Sequence, residues 1–177
     1  ISVRFHKVKT LKELAIAVEE ILEEFIDVEY SGLYFYDREE ERLKLFVAKG
    51  FTEEERHEAE HTAMDRHPGE VFRNNKSIHI TDTVLDERQT TTSSKRSFTV
   101  RSRLYLPVNN IDVTVGAFGI VSSIPNRFTD QDIAILSFIC SQAGAVYGSL
   151  INLENLEKAN AQIKSLSLFP HENPSPI

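Results

Sequence analysis

The sequence predicts an α+β domain: an antiparallel sheet with the first and last helices on one of its faces. Three observations carry that prediction. Apolar residues recur at helical spacing near the start of the chain, segments rich in β-branched and aromatic residues come in pairs joined by short polar stretches, and one long helical pattern closes the chain.

Each element has its own signal. In "TLKELAIAVEEILEEF", Leu11, Leu14, Ala15, Val18, Ile21, Leu22 and Phe25 fall on one helical face, and Thr10 with Glu13 has capping-box spacing. "VEYSGLYFYD" and "RLKLFVAKG" flank the polar "DREEE" and read as a strand pair with a tight loop. "FTEEERHEAEH" opens on a second capping box, Thr52 with Glu55, and predicts a short helix that is almost wholly charged. "PGEVFRNNKSIHITDT" gives an apolar turn and then a strand over 78–81. The stretch 82–99, "DTVLDERQTTTSSKRSFT", has no sustained period and a run of Thr and Ser, so it predicts a mobile loop. "RSRLYLPV" and "VTVGAFGIVSS", split by "NNID", predict a hairpin. The final helical pattern caps at Thr129 and runs far beyond ordinary globular length, until Pro170 and Pro174 break the backbone ladder.

A chain of 177 residues suits one domain plus an appendage and needs no metal or disulfide to fold. The formal charge of −7 argues against nucleic acid, which a basic footprint would accompany. A lone cysteine, Cys140, excludes an internal disulfide and any all-cysteine zinc site, and fits a reducing compartment, the cytoplasm by default. No apolar run of ~18 residues stands out as a bilayer span, no export leader is visible, and no membrane insertion is expected. The chain opens at Ile1 with its single methionine at Met64, which implies a piece of something longer.

"HEAEH", from His57 to His61, spells the H-E-x-x-H pattern in which two His on one helical face ligate zinc and the Glu activates a water. A zinc-protease helix of this kind has an apolar side and a further ligand. This helix carries acids where the apolar side belongs, and only Asp82 and Glu87 are formal candidates for a third ligand. The expectation is a solvated surface helix without metal.

"SRLYLPVNNIDVTVGAFGIVSSIPNRFTDQDIAILSFICSQAGAVYGSLINL" resembles the C-terminal half of a GAF domain, with its Leu-Pro-Val strand end, Gly-x-Phe-Gly strand, Phe-Thr-x-x-Asp helix start and last helix rich in Leu, Ala and Gln. "AKGFTEEE" and "GEVFRNNKSIHITDT" are similar to the middle of that family, so the likeness spans about Leu11 to Leu153. The resemblance implies a GAF-like sheet with a loop-covered pocket on the face away from the helices. It also implies a sensory module that binds a small molecule and acts on an output domain, with no catalytic activity of its own. "SLFPHENPSPI" resembles the start of a PAS domain of bacterial sensor kinases, pointing to a two-component histidine kinase as parent. The division that follows is 1–153 for the sensory domain, 154–168 for a coiled-coil extension and 169–177 for a linker.

The family's known chemistries find little purchase. Bilin-binding cysteines of GAF relatives lie in mid-domain, and methionine sulfoxide reductases of the family need cysteines that this loop region lacks. Cys140 shares a helical stripe with Leu136, Ala143, Tyr147 and Leu150 and reads as core. The cyclic-nucleotide signature is incomplete: Phe128 and Asp132 match its second half, but Ile133 stands where Glu belongs and Ser122 and Ser123 where Asn-Lys belongs. What remains is Arg88, Lys95, Arg96, Arg101 and Arg103 around Phe98, whose forks and hydroxyl neighbours suit a carboxylate or phosphate. Tyr34, Tyr36 and Phe118 are candidates for a pocket wall. The plainer reading is that these cations offset Asp82, Asp86 and Glu87 and that the aromatics are core. Neither ligand nor cofactor is named by the residues.

The last helix carries a second stripe at heptad spacing, Ile135, Ile139, Val146, Leu153, Leu156 and Ile163, with Asn160 at an a position. It predicts a parallel homodimer through this helix.

Overall fold

The computed structural model of the chain describes residues 2–86 and 97–168. Its elements are α1 (Ser2–Phe5), α2 (Leu11–Phe25), β1 (Tyr30–Asp37), β2 (Arg42–Lys49), α3 (Glu53–His61), a 3-10 turn (Ala63–Asp65), α4 (His67–Asn74), β3 (Ile78–Ile80), β4 (Ser102–Asn110), β5 (Val113–Ser122) and α5 (Asp130–Ser167). The strands form one sheet in the order β2-β1-β5-β4-β3, and every neighbouring pair is antiparallel.

Local chemistry sets the helix starts. The Thr10 side chain accepts from the Glu13 N–H, and Thr52 with Glu55 and Thr129 with Asp132 form complete capping boxes. The β1–β2 and β4–β5 hairpins follow the predicted polar breaks.

The apolar stripe of α2 and the inner stripe of α5 lie side by side on one face of the sheet. Leu14, Val18, Ile21 and Leu22 meet Leu33, Phe35, Leu104, Phe118 and Ile120 from the strands and Leu136, Ile139 and Cys140 from α5 in the main core. Close packing of α5 on the β4–β5 hairpin depends on two glycines one turn apart. A Cβ at Gly144 would overlap the Asn109 carbonyl, and one at Gly148 would overlap the Asn110 amide.

One expectation changes here. α5 does contain an 18-residue window of mean hydropathy 1.6, long and apolar enough to cross a bilayer by length and composition. Its inner stripe, with Leu136, Ile139, Cys140 and Ala143, is spent on the sheet and α2. The start of the predicted loop is tied to the segment that follows it. The Thr83 N–H donates to the Arg101 carbonyl at 2.8 Å, its hydroxyl donates to the Val100 carbonyl at 2.7 Å, and residues 87–96 lie outside the described part.

Candidate functional site

The candidate site is the sheet face turned away from α2 and α5. Strand alternation in β1 sends Leu33 and Phe35 to the helices and Tyr34 and Tyr36 to this distal face. In β4, Leu104, Leu106 and Val108 face the helices, while Tyr105 faces the other way and Arg103 sits in register with Ile80 and Val121 of the distal side. Two smaller clusters cover the face. One joins Tyr34, Leu43 and Leu45 to Ala59 and Ala63, and the other joins Tyr105, Ala117 and Val121 to Val71, Ile78, Ile80 and Val100. Gly119 makes room at the centre, since a Cβ there would overlap the Tyr105 ring. The buried His67 stacks on that ring at 5.5 Å, and Phe72 of α4 stacks on Tyr36 at 4.6 Å.

Buried charged and titratable groups set this face apart. Glu55 is 3% exposed, and its carboxylate accepts from the Thr52 N–H at 2.7 Å, from the Ser97 N–H at 2.6 Å and from the Ser97 hydroxyl at 3.0 Å. Burial pushes its pKa up, but these hydrogen bonds together outweigh it and hold the carboxyl below its ordinary value. The contact pins the segment leading into β4 against α3, and Phe98 one residue on stacks flat on Tyr30. Burial, then the negative charges of Glu29 and Glu55, raise the pKa of the Tyr30 phenol. At the rim, Arg101 makes a two-pronged contact with Asp82 at 3.1 and 2.8 Å. Hydrogen bonding to that guanidinium is the main reason the Asp82 carboxyl lies below its usual range.

The structure therefore gathers Tyr34, Tyr36, Phe98 and Arg103 on or beside one face, and commits Arg101 to Asp82. Arg88, Lys95 and Arg96 lie outside the described residues. Phe118 is corrected: it is fully buried in the helix-side core, because pairing with Leu33 and Leu106 puts it on the opposite face from its neighbour Ala117. Glu55, His67 and Tyr105 were not foreseen. Alternation along "SRLYLPV" would have found Tyr105, whereas Glu55 was legible only as a helix cap.

The dimer stripe also divides. Ile139 is fully buried in the core and so not available to a partner, and Val146 is half-buried against it, whereas Leu153, Leu156 and Ile163 are 54%, 62% and 64% exposed and Asn160 is exposed. A cleft of about 570 Å³ opens where α5 leaves the sheet, lined by Phe46, Lys44, Asn110, Tyr147, Asn155 and Lys158 among others.

The His57 and His61 rings lie 6.2 Å apart on α3, and among the described residues no group of three or more His, Cys, Asp or Glu is placed to hold a metal. Asp82 is committed to Arg101, and Glu87 lies outside the described residues. Cys140 is 2% exposed, and burial pushes its thiol pKa far up, which leaves it without thiolate chemistry.

A family model described as "GAF domain" matches residues 9–146. Comparison with curated proteins yields no match. Among solved structures, the GAF domain of a phosphoenolpyruvate-protein phosphotransferase from Acinetobacter superposes with a TM-score of 0.68 at 19% identity, covering 87% of this chain and 92% of that one. The corresponding domain from Coxiella burnetii gives 0.73 at 13% identity, with 87% and 92% covered. A domain of a putative two-component sensor histidine kinase from Sinorhizobium meliloti 1021 gives 0.66 at 16% identity, with 88% and 99% covered. At these identities the likeness establishes the fold.

Proposed function

The chain belongs to the GAF domain family, and we propose that it is a sensory module of a signalling protein that holds a small molecule against the distal face and passes the change through α5 to an output domain such as a histidine kinase. One observation carries this reading. The distal face buries the titratable Glu55, His67 and Arg103 at 3%, 5% and 6% exposure among tyrosines, while the buried polar residues on the helix side of the strands are the serines Ser31, Ser102 and Ser122. Burying charged or titratable groups costs stability unless each is matched, and Glu55 is matched by Thr52 and Ser97. Arginine forks and aromatic rings are the groups that hold small anionic or polar ligands.

The output arm of the proposal is α5 beyond Leu153. It runs to Ser167 with no sheet to cover, and pairs in parallel with a second copy through Leu153, Leu156, Asn160 and Ile163. Residues 154–168 act as the coiled-coil extension and 169–177 as the linker to the next domain; a buried free thiol and an acidic surface fit work in the cytoplasm.

Native mass spectrometry tests the ligand. The expected result is a mass excess of one small molecule per chain under native conditions, lost on denaturation and diminished in Tyr34→Ala. Its rival is a dimerisation module whose distal face is filled by its own rings, a reading that the overlap of Tyr105 with the Gly119 position favours. A bare polypeptide mass in every condition would establish that rival.

A further inference from the structure

A short series of contacts passes round the sheet from the distal face to α5. α4 lies on the distal face, with Val71 fully buried there and His67 stacked on Tyr105. Its C-cap, Asn75, adopts the left-handed conformation at φ 51 and ψ 41, and its Oδ1 accepts a hydrogen bond from Asn109 Nδ2 at 2.8 Å. Asn109 lies on β4 beyond the stretch paired with β3, just after a shift in register against β5. Its carbonyl fills the space a side chain at Gly144 would need, and the side-chain amide of Asn110 fills that at Gly148. One residue thus grips α4 with its side chain and rests on α5 with its main chain. A second contact runs parallel to the first: Phe72 of α4 stacks on Tyr36, whose carbonyl accepts from the Tyr147 hydroxyl of α5 at 3.5 Å.

We propose that α4 is the element whose displacement on the distal face is handed to α5, and that the Asn75–Asn109 pair, seated on Gly144, is the joint. No side chain lies between the Asn109 carbonyl and the α5 backbone, so rotamer changes cannot absorb a shift of the hairpin end; the helix itself must slide or tilt. The inference rests on the reading that α5 carries the output of the distal face.

Its test needs no ligand, because removing the His67 ring disturbs α4 directly. Amide hydrogen exchange in α5 over residues 141–152 is compared in the unaltered chain, His67→Ala, Asn109→Ala and the double variant, with β1 and β5 amides as the fold control. His67→Ala is expected to speed α5 exchange about threefold in the unaltered background and to leave it unchanged once Asn109 has lost its amide. Asn75→Gly removes the same hydrogen bond from the other side while keeping the left-handed cap, and should reproduce Asn109→Ala. Equal acceleration with and without the pair, or no response of α5 to His67→Ala, overturns the proposal. A chain that never retains a small molecule leaves this four-way comparison intact, so the two readings fail separately.

Discussion

The two halves of α5 both carry apolar residues at helical spacing but use them differently. From Asp130 to Leu150 one stripe, with Leu136, Ile139, Cys140 and Ala143 at 0–2% exposure, is closed against the sheet and α2. From Asn152 onward every described residue is exposed, including Leu153, Leu156, Ile163 and Leu166. A lone helical turn in water gains little from such residues, and an amphipathic helix draws most of its stability from what its apolar face covers. The first half is therefore stabilised inside the chain. The second half has its apolar positions available to something outside it.

The largest effect expected from this contrast is on stability. Leu136→Ala should lower unfolding free energy by about 2–5 kcal/mol in urea titration, while Leu166→Ala should stay within about 0.5 kcal/mol. Equal losses would erase the distinction. Next comes Gly144→Ala, whose methyl must displace the Asn109 carbonyl; a loss of about 1–3 kcal/mol is expected, with altered amide shifts at Asn109 and Asn110.

Thiol chemistry sharpens the same boundary. Cys140 should resist alkylation in the folded protein and react at once in denaturant, since burial both hides the thiol and raises its pKa. In a Cys140→Ala background, Leu153→Cys should oxidise to a cross-linked dimer, because a positions of a parallel pair face each other. The smallest effect lies at the cleft between the halves. There the Lys44 ammonium, 2.6 Å away, and backbone N–H groups hold the Asp37 pKa down to about 2. A depressed folded pKa contributes stability above the unfolded carboxylate value of about 3.9, lost as pH falls through the folded value. Carboxyl NMR should show Asp37 titrating near 2, and Lys44→Ala should return it towards 3.8.

Much of this architecture is local and therefore legible. The Thr52–Glu55 and Thr129–Asp132 boxes, the β1–β2 and β4–β5 breaks and the helix pattern of α2 each depend on residues within a few positions of one another. Facing is not local. In "VGAFGIV" small and large residues mix, so only the register with Leu33 and Leu106 shows that Phe118 turns to the helices. The α5 heptad runs without a break through Ile139, Val146 and Leu153, and nothing in the spacing tells where the sheet ends. The Glu55–Ser97 contact spans 42 positions and joins a helix cap to a loop, a pairing that no periodicity announces.

Sedimentation equilibrium at micromolar concentration tests most directly whether the outer half of α5 pairs with a second copy. The unaltered chain is expected to be a dimer, and Leu153→Asp combined with Leu156→Asp a monomer whose sheet amides keep their native chemical shifts. A chain that stays monomeric throughout, or a dimer indifferent to both aspartates, would contradict the assignment of α5 as the output element.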